Sequence, residues 1–303
     1  MGKGTIIECS ESLGDTIAAI PYADKYRIDN NCDISVKINP LYNFLFENSY
    51  PNLNFVDNKD GFDKILNTNY QFYKKLQEGI VENLGYKNAE WVRPVLNIKP
   101  KERPIKNKYV AISIHSTLQM KYWNHPDGKR SHSTSPYWNE LCRVLRKNGL
   151  TPVVLEKSAQ FGINPYFNQA PKKSVKKIGM PLEDVVNYIQ HAEFFIGLSS
   201  GLAWVALGLG KKVAIIANFT KEDHEIPLDE HNYKRIVNKS VCHGCFNNPK
   251  YDLQNIMDNG IELKKGKEQE WYLCPEHKGT NRQFECHTSI TPEQVFNEIK
   301  EWI

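Results

Sequence analysis

Apolar and polar positions along the first third of the chain predict a series of strands and helices in alternation. Short apolar runs bounded by turn residues predict strands, and longer runs with helical spacing follow them. The predicted strands are residues 5–9, 33–38, 54–56 and 64–66, and the predicted helices are 16–26, 41–47 and 71–84. Because strand and helix alternate, we expect parallel βαβ units in this half.

A second α/β pattern starts at residues 109–114, whose near-continuous apolar run is typical of a strand buried on both faces. Further strands are predicted at 151–155, 193–197 and 213–216, and helices at 138–147, 182–191 and 201–209. Between the halves, Pro94, Pro100 and Pro104 stand among lysines and predict a linker. The sequence therefore predicts two doubly wound domains, 1–104 and 105–303, with a ligand cleft outside the carboxyl ends of the strands. We expect the last helix to pack back on the N-terminal domain.

Composition narrows the functional classes. The chain has 303 residues, of which 24% are charged and 40% hydrophobic, as in an ordinary globular protein. No apolar run approaches the ~20 residues of a membrane span, and the polar N-terminus is too short for a signal peptide, so we expect a cytoplasmic protein. The net charge of +4 is weakly basic. Its lysine runs lack aromatic neighbours, so they indicate solvated surface with a mild attraction for phosphate, and no nucleic acid is expected.

Four cysteines near the C-terminus suggest a metal site. They are Cys242 and Cys245, which form a Cys-x-x-Cys pair, and then Cys274 and Cys286, all within the segment 240–288. Four thiolates suit a closed tetrahedral structural site for zinc or iron. Scattered buried thiols are the alternative, and a mixed site in which His243, His277 or His287 replaces one cysteine also remains open. The long spacing between Cys245 and Cys274 predicts an inserted loop.

A phosphate-binding turn is predicted within residues 195–216. The segment reads as a strand, the turn Ser199-Ser200-Gly201, a helix and a second strand. A helix opened by small residues presents free backbone N–H groups and the positive end of its dipole, which together hold phosphate. Ordinary helix capping by serine is the alternative.

Two further positions are predicted to face the same cleft. The loop after residue 114 carries hydroxyl and amide side chains and Lys121, whose ammonium could neutralise a diphosphate. Glu156, at a strand end, is a candidate partner for ribose hydroxyls. The full set of candidate donor-binding residues is Gly14, Ser116, Thr117, Gln119, Lys121, Glu156, Ser199, Ser200 and Gly201.

Asp15 follows the first predicted strand and could be either a helix N-cap or a carboxylate in the cleft. The sequence has neither a Walker motif nor an Asp-x-Asp motif. Lack of the latter argues against sugar transfer that holds its nucleotide through a divalent cation.

Taken together, residues 13–22, 116–124 and 182–216, with the Cys242 pair and the stretch from Cys286 into 290–295, resemble the GT-B glycosyltransferases of the lipopolysaccharide heptosyltransferase class (glycosyltransferase family 9). More narrowly, the chain is similar to the autotransporter heptosyltransferases, which glycosylate protein hydroxyls. The resemblance covers nearly the whole chain in order. Those enzymes are longer, with an additional N-terminal region, and have fewer residues between the cysteines.

The resemblance implies an inverting glycosyltransferase with Asp15 as the catalytic base. It implies a nucleotide-diphosphate sugar donor, with ADP-heptose favoured, a hydroxyl of a protein or glycan as acceptor, and no divalent cation for catalysis. It also implies a structural iron, or zinc, held by four cysteines, and a possible homo-oligomer.

Two other functions stay open at this point. One is a metal-stapled module that binds a nucleotide or nucleic acid without turnover, and the other is a nucleotide-sugar epimerase. A pure binder has no need of a carboxylate facing a phosphate-binding turn, because the carboxylate would repel the ligand. Release of nucleoside diphosphate only when an acceptor is present would distinguish a glycosyltransferase from both alternatives.

Overall fold

The fold is given by a computed structural model, which describes residues 4–88, 90–116, 122–125, 135–163, 166–251, 274–277 and 279–303. Two parallel sheets form its framework, as the alternating pattern predicts. None of the helices in these segments combines the length and the apolar character needed to cross a membrane.

The first sheet forms from the short apolar runs of the N-terminal third. Its strands are β1 (Thr5–Glu8), β2 (Ile34–Lys37), β3 (Leu53–Val56) and β4 (Lys64–Asn67). All pair in parallel in the order β3-β2-β1-β4. Strand β1 lies inside the sheet, pairing Thr5 with Ile34 on one side and with Lys64 on the other. Its apolar residues Ile6 and Ile7 are therefore fully buried.

Helices α1 (Leu13–Asn30), α2 (Asn43–Phe46) and α3 (Leu76–Asn83) complete this domain. Helix α1 extends beyond its predicted bounds at both ends, and α2 follows a 3₁₀ turn at Pro40–Tyr42. Helix α3 begins at Leu76 instead of at residue 71. Tertiary contacts of residues 70–75, described below, replace the first turns of the predicted helix.

The second domain carries a longer parallel sheet. Its strands, together with a hairpin, are β5 (Tyr109–Ser113), β6 (Thr151–Glu156), β7 (Gln160–Ile163), β8 (Tyr166–Gln169), β9 (Val175–Ile178), β10 (Phe194–Leu198), β11 (Lys212–Ile216) and β12 (Tyr233–Ile236). The six-stranded sheet has the order β12-β11-β10-β5-β6-β9, and β7 pairs with β8 in antiparallel.

The two edge strands of this sheet, β9 and β12, do not appear among the predicted strands. Both are four residues long and carry lysines that are at least partly exposed, Lys176 and Lys177 on β9 and Lys234 on β12. Short edge strands that carry basic residues are a common protection against pairing with other chains. The same lysines made β9 resemble solvated surface in the sequence.

Helices of the second domain lie on both faces of its sheet. They are α4 (Pro136–Lys147), α5 (Leu182–His191), α6 (Gly201–Gly208), α7 (Glu285–Thr288) and α8 (Pro292–Ile299). Helix α6 packs against α1 of the first domain, and one buried core runs between the two sheets through this contact. A second core on the opposite face lies beneath α4 and α8.

The last helix differs from expectation. It is predicted to pack back on the N-terminal domain, but α8 packs on α4 and on β12 of the second domain. Val295 and Ile299 are fully buried there, in the same cluster as Leu141 and Ile290. The apolar face of the helix is thus already covered within its own domain.

Residues 90–108 connect the domains as an extended segment that is fastened to both. The amide of Leu96 donates to the carbonyl of Gly208, 2.9 Å away, and Arg93 pairs with Glu230 at 2.9 Å. On the other side, the amide of Val95 donates to the hydroxyl of Tyr50 at 3.1 Å. The predicted linker therefore helps to hold the two domains in one arrangement.

Candidate active site

The first element of the site is the start of α1, which presents Asp15. The hydroxyl of Ser12 caps the helix by accepting a hydrogen bond from the amide of Asp15 at 3.3 Å. The hydroxyl of Thr16 donates to the carbonyl of Ser10 at 2.7 Å and fixes the preceding loop. Ser12 is thus the N-cap, and the half-buried carboxylate of Asp15 lies in the first turn, near the positive end of the helix dipole.

The second element is the start of α6. Ser200 precedes the helix in an extended conformation and makes no capping hydrogen bond with its side chain. Its hydroxyl oxygen is buried and has no hydrogen-bond partner among the described residues. The capping alternative for this serine is therefore not observed. The turn leaves the first N–H groups of the helix available to an anion.

These two helix starts touch across the domain boundary at two glycines. A β-carbon at Gly14 would lie 3.4 Å from Cα of Gly201 and 3.1 Å from Cδ1 of Trp204. A β-carbon at Gly201 would lie only 2.9 Å from Cβ of Leu13. The close approach therefore depends on glycine at both positions. It sets Asp15 beside the turn predicted to bind phosphate.

A buried polar group lies next to this turn, and the sequence analysis did not include its residues. Glu225 accepts a hydrogen bond from the hydroxyl of Ser199, and its other oxygen lies 3.3 Å from the guanidinium of Arg235. Tyr70 reaches the same region from the first domain. Burial first, and then the charges of Asp15 and Glu225, raise the pKa of the Tyr70 hydroxyl well above its usual range.

No sequence motif marks Glu225, Arg235 or Tyr70. Glu225 lies in a loop after β11, and Arg235 lies on the missed edge strand β12. The available signal was Arg235, a charged residue between the apolar positions of a short strand. A charge buried at such a position requires a partner of opposite charge.

Two predicted donor contacts lie at the carboxyl ends of β5 and β6. The hydroxyl of Ser116 donates to the carbonyl of Ser199 at 3.0 Å and so joins the loop after β5 to the turn predicted to bind phosphate. One oxygen of Glu156 accepts from the amides of Ile114, at 2.6 Å, and His115, at 2.9 Å. Its other oxygen lies 3.4 Å from Nδ1 of His115. The carboxylate of Glu156 thus holds the end of β5. Three predicted donor contacts lie outside the described residues: Thr117, Gln119 and Lys121.

The four cysteines lie near one another, and the turn of the first two lies beside the end of β11. The amides of Gly244 and Phe246 donate to the carbonyls of Asn218 and Phe219, at 2.8 and 2.9 Å, which sets the Cys-x-x-Cys turn against the residues that follow the strand. All seven cysteines of the chain are free thiols.

The cysteines influence one another electrostatically. Burial raises the pKa of Cys245 to about 12, with further contributions from Cys274 and Cys242. Burial and the other three cysteines raise the pKa of Cys286 well above its usual range. The described residues nevertheless include no group of three or more cysteine, histidine or acidic side chains arranged to hold a metal ion. The predicted four-cysteine site is therefore taken up as a proposal.

The histidines near these cysteines have contacts of their own. Nε2 of His287 lies 3.3 Å from the amide nitrogen of Asn218, and Nδ1 lies 3.2 Å from the sulfur of Cys286. Nδ1 of His243 lies 2.9 Å from the carbonyl of Val241. Both nitrogens of His287 thus face neighbours within the protein.

No family model matches the sequence, but individual proteins do. The sequence is similar to the autotransporter heptosyltransferase Aah of Escherichia coli, with 30% identity over 305 residues that cover 95% of this chain and 71% of the relative. The chain belongs to the autotransporter heptosyltransferase family.

Solved structures show the same fold. The iron-containing dodecameric glycosyltransferase TibC from enterotoxigenic E. coli H10407 matches with a TM-score of 0.81 and 25% identity, covering 98% of this chain and 75% of that one. TibC has also been solved in complex with ADP-D-beta-D-heptose. The E. coli ADP-heptose lipopolysaccharide heptosyltransferase II shares the fold, with a TM-score of 0.63, 12% identity, and coverage of 99% and 98%.

Family membership confirms three of the sequence predictions. The chain resembles the autotransporter heptosyltransferases, it has a GT-B-like α/β fold with parallel sheets, and it is a glycosyltransferase. The roles of the individual site residues are treated next.

Proposed function

We propose that the protein transfers a heptose from ADP-heptose to a hydroxyl group of a protein or glycan acceptor, with inversion at the anomeric carbon. The observation that carries this proposal is the approach of Gly14 to Gly201, which brings the half-buried carboxylate of Asp15 beside the start of α6. The complex of the related TibC with ADP-D-beta-D-heptose supports the choice of donor.

Asp15 acts as the general base in this proposal. Its carboxylate takes the proton of the acceptor hydroxyl as that oxygen forms a bond to the anomeric carbon. The bond from this carbon to the diphosphate oxygen breaks in the same step, and ADP leaves with the electron pair. Attack opposite the leaving group inverts the anomeric centre.

The second domain stabilises the negative charge that grows on the diphosphate. The N–H groups at Ser199, Ser200 and Gly201 and the ammonium of Lys121 are the proposed donors, since preorganised donors lower the barrier where charge develops. No divalent cation is part of this proposal. Gly14, Ser116, Thr117, Gln119 and Glu156 complete the proposed donor-binding set.

We assign a structural metal ion to Cys242, Cys245, Cys274 and Cys286. Thiols that lie close enough to raise one another's pKa form a chemically suitable donor set once their protons are displaced. A bound ion would join the turn after β11 to the residues around α7. Iron is favoured over zinc because the related TibC is described as iron-containing.

Two wider features complete the proposal. The dodecameric assembly of TibC supports self-association of this chain, and seven free thiols suit the reducing cytoplasm.

Activity is tested with the purified protein and ADP-heptose, with UDP-glucose as the control donor. A serine-rich peptide and a lipopolysaccharide core oligosaccharide serve as the two acceptors. We expect ADP release that requires one of the acceptors, and a product whose anomeric coupling in NMR shows inversion. Failure of transfer to both acceptors, or a product with retained configuration, would contradict the proposal.

A further inference from the structure

A segment of the first domain crosses to the second domain beside the candidate site. It comprises residues 70–77, which run from the loop after β4 into the first turn of α3, and we call it the crossing segment. The backbone amide of Leu76 donates to the carbonyl of His224 at 2.9 Å, and the side-chain amide of Gln77 donates to the carbonyl of Glu225. Lys75 also pairs with Asp223 at 2.6 Å. Three consecutive residues of the crossing segment thus contact three consecutive residues of the loop after β11.

The N-terminal part of the crossing segment contacts the two residues that follow Cys245. The rings of Phe72 and Phe246 stack with their centroids 4.6 Å apart. The side-chain amide of Asn247 donates to the carbonyl of Phe72. The segment is therefore anchored at both ends to the second domain.

Glu225 links this docking to the phosphate turn. Its carbonyl is held by Gln77, which is only 6% exposed, and its carboxylate binds the hydroxyl of Ser199. Arg235 holds the carboxylate from the other side, with 0% of the Arg235 side chain and 10% of the Glu225 side chain exposed. A buried carboxylate fixed by a buried guanidinium has little freedom to move, because separating them leaves an uncompensated charge.

We propose that Glu225 is a positioning residue, through which docking of the crossing segment sets the conformation of the turn Ser199-Ser200-Gly201. This inference rests on the proposed function, since it takes that turn as the site of the donor diphosphate. In this proposal, one connected set of contacts both aligns the two domains and shapes the turn that binds phosphate. Glu225 itself touches neither substrate.

A double-mutant cycle between Gln77 and Ser199 tests the link, because these residues belong to different domains and are joined through Glu225. The probes are ADP and adenosine, with binding measured by calorimetry. We expect Gln77→Leu to weaken the binding of ADP at least about fivefold and the binding of adenosine less than about twofold. Once Ser199→Ala is present, the same change should weaken ADP less than about twofold further, since linked residues are not additive.

Lys75→Ala supplies the matched control. Lys75 joins the same two segments, but it and Asp223 are each 47% exposed, and an exposed ion pair contributes little. Its loss should leave ADP binding unchanged. An equal effect of Gln77→Leu with and without the Ser199 hydroxyl would overturn the proposal, as would an effect of Lys75→Ala as large as that of Gln77→Leu.

Adenosine binding and thermal melting distinguish a specific effect on the turn from a general loss of stability, because a destabilised fold would weaken the binding of both ADP and adenosine. Should Gln77→Leu fail to fold, Gln77→Asn replaces it, because the shorter side chain withdraws its amide from the Glu225 carbonyl. The two proposals also fail separately. If the protein transfers heptose but the effects of the Gln77 and Ser199 changes on ADP binding are additive, only the positioning role of Glu225 is refuted. If the two changes are coupled but the protein binds ADP without transferring heptose, the positioning role stands and the proposed function is refuted.

Discussion

Gly14 lies against Gly201, so that a β-carbon at position 14 would stand 3.4 Å from the Cα of its partner. The two glycines lie in the first turns of helices that belong to different domains. Their contact brings the positive ends of two helix dipoles together. The proposed base and the proposed phosphate turn therefore share one small region of the domain boundary.

Replacing Gly201 by alanine should separate the two helix starts. The new β-carbon would stand 2.9 Å from Cβ of Leu13, and such overpacking typically costs about 1–3 kcal/mol of stability. We expect heptose transfer, measured well below the melting temperature, to fall by more than tenfold, or about 1.4 kcal/mol, because α1 carries Asp15.

Gly208→Ala is the control on the same helix. Its β-carbon would meet Cγ of Leu96 at 2.7 Å, at the end of α6 away from Asp15. We expect a similar loss of stability with transfer largely retained. Equal losses of transfer in both variants would indicate that the contact at Gly201 has no special role.

Asp15→Asn should remove most transfer and leave ADP binding intact. Loss of a general base typically lowers the rate by ~10²–10⁴-fold. The matched change is Asp24→Asn on the same helix, where the carboxylate pairs with Arg27 at 2.8 Å. Steady-state kinetics should show near-normal turnover for the Asp24 variant. Near-normal turnover of a folded Asp15 variant would remove the assignment of the base.

Lys121→Ala should weaken ADP more than adenosine, because the proposed partner of the ammonium is phosphate. A charge-assisted contact of this kind contributes about 1.5–3 kcal/mol. Lys101→Ala, which removes an exposed ion pair with Glu183 and Asp184, should change neither affinity. Equal weakening of ADP and adenosine by the Lys121 change would indicate a structural lysine.

Cys245→Ser should lower both metal content and melting temperature. Elemental analysis of the reduced wild-type protein should find one metal ion per chain, and iron would colour the protein through sulfur-to-metal charge transfer. Cys142→Ser is the control, because Cys142 is a buried thiol on α4 outside the cysteine group. A wild-type protein without zinc or iron, or a disulfide within the group of four, would refute the metal site.

The βαβ layout could be predicted from the residue pattern alone, because alternating and helically spaced apolar residues mark a strand or a helix within one segment. Helix α5 has the predicted bounds, Leu182–His191, β10 is shifted by one residue, and β11 begins one residue earlier than predicted. The start of α6 after Ser199-Ser200 was likewise readable from small residues between two apolar runs. The family resemblance rests on the same local segments.

The position of the crossing segment and the identity of the buried charges depend on the packing of the two domains. Helical periodicity in residues 71–84 predicted one helix, but Phe72 stacks on Phe246 and Leu76 bonds to His224, so α3 starts late. Gln77 and Glu225 are 148 positions apart in the chain. Contacts at that separation leave no periodic trace in either segment, because they depend on how two complete domains pack and not on which face of one element is apolar.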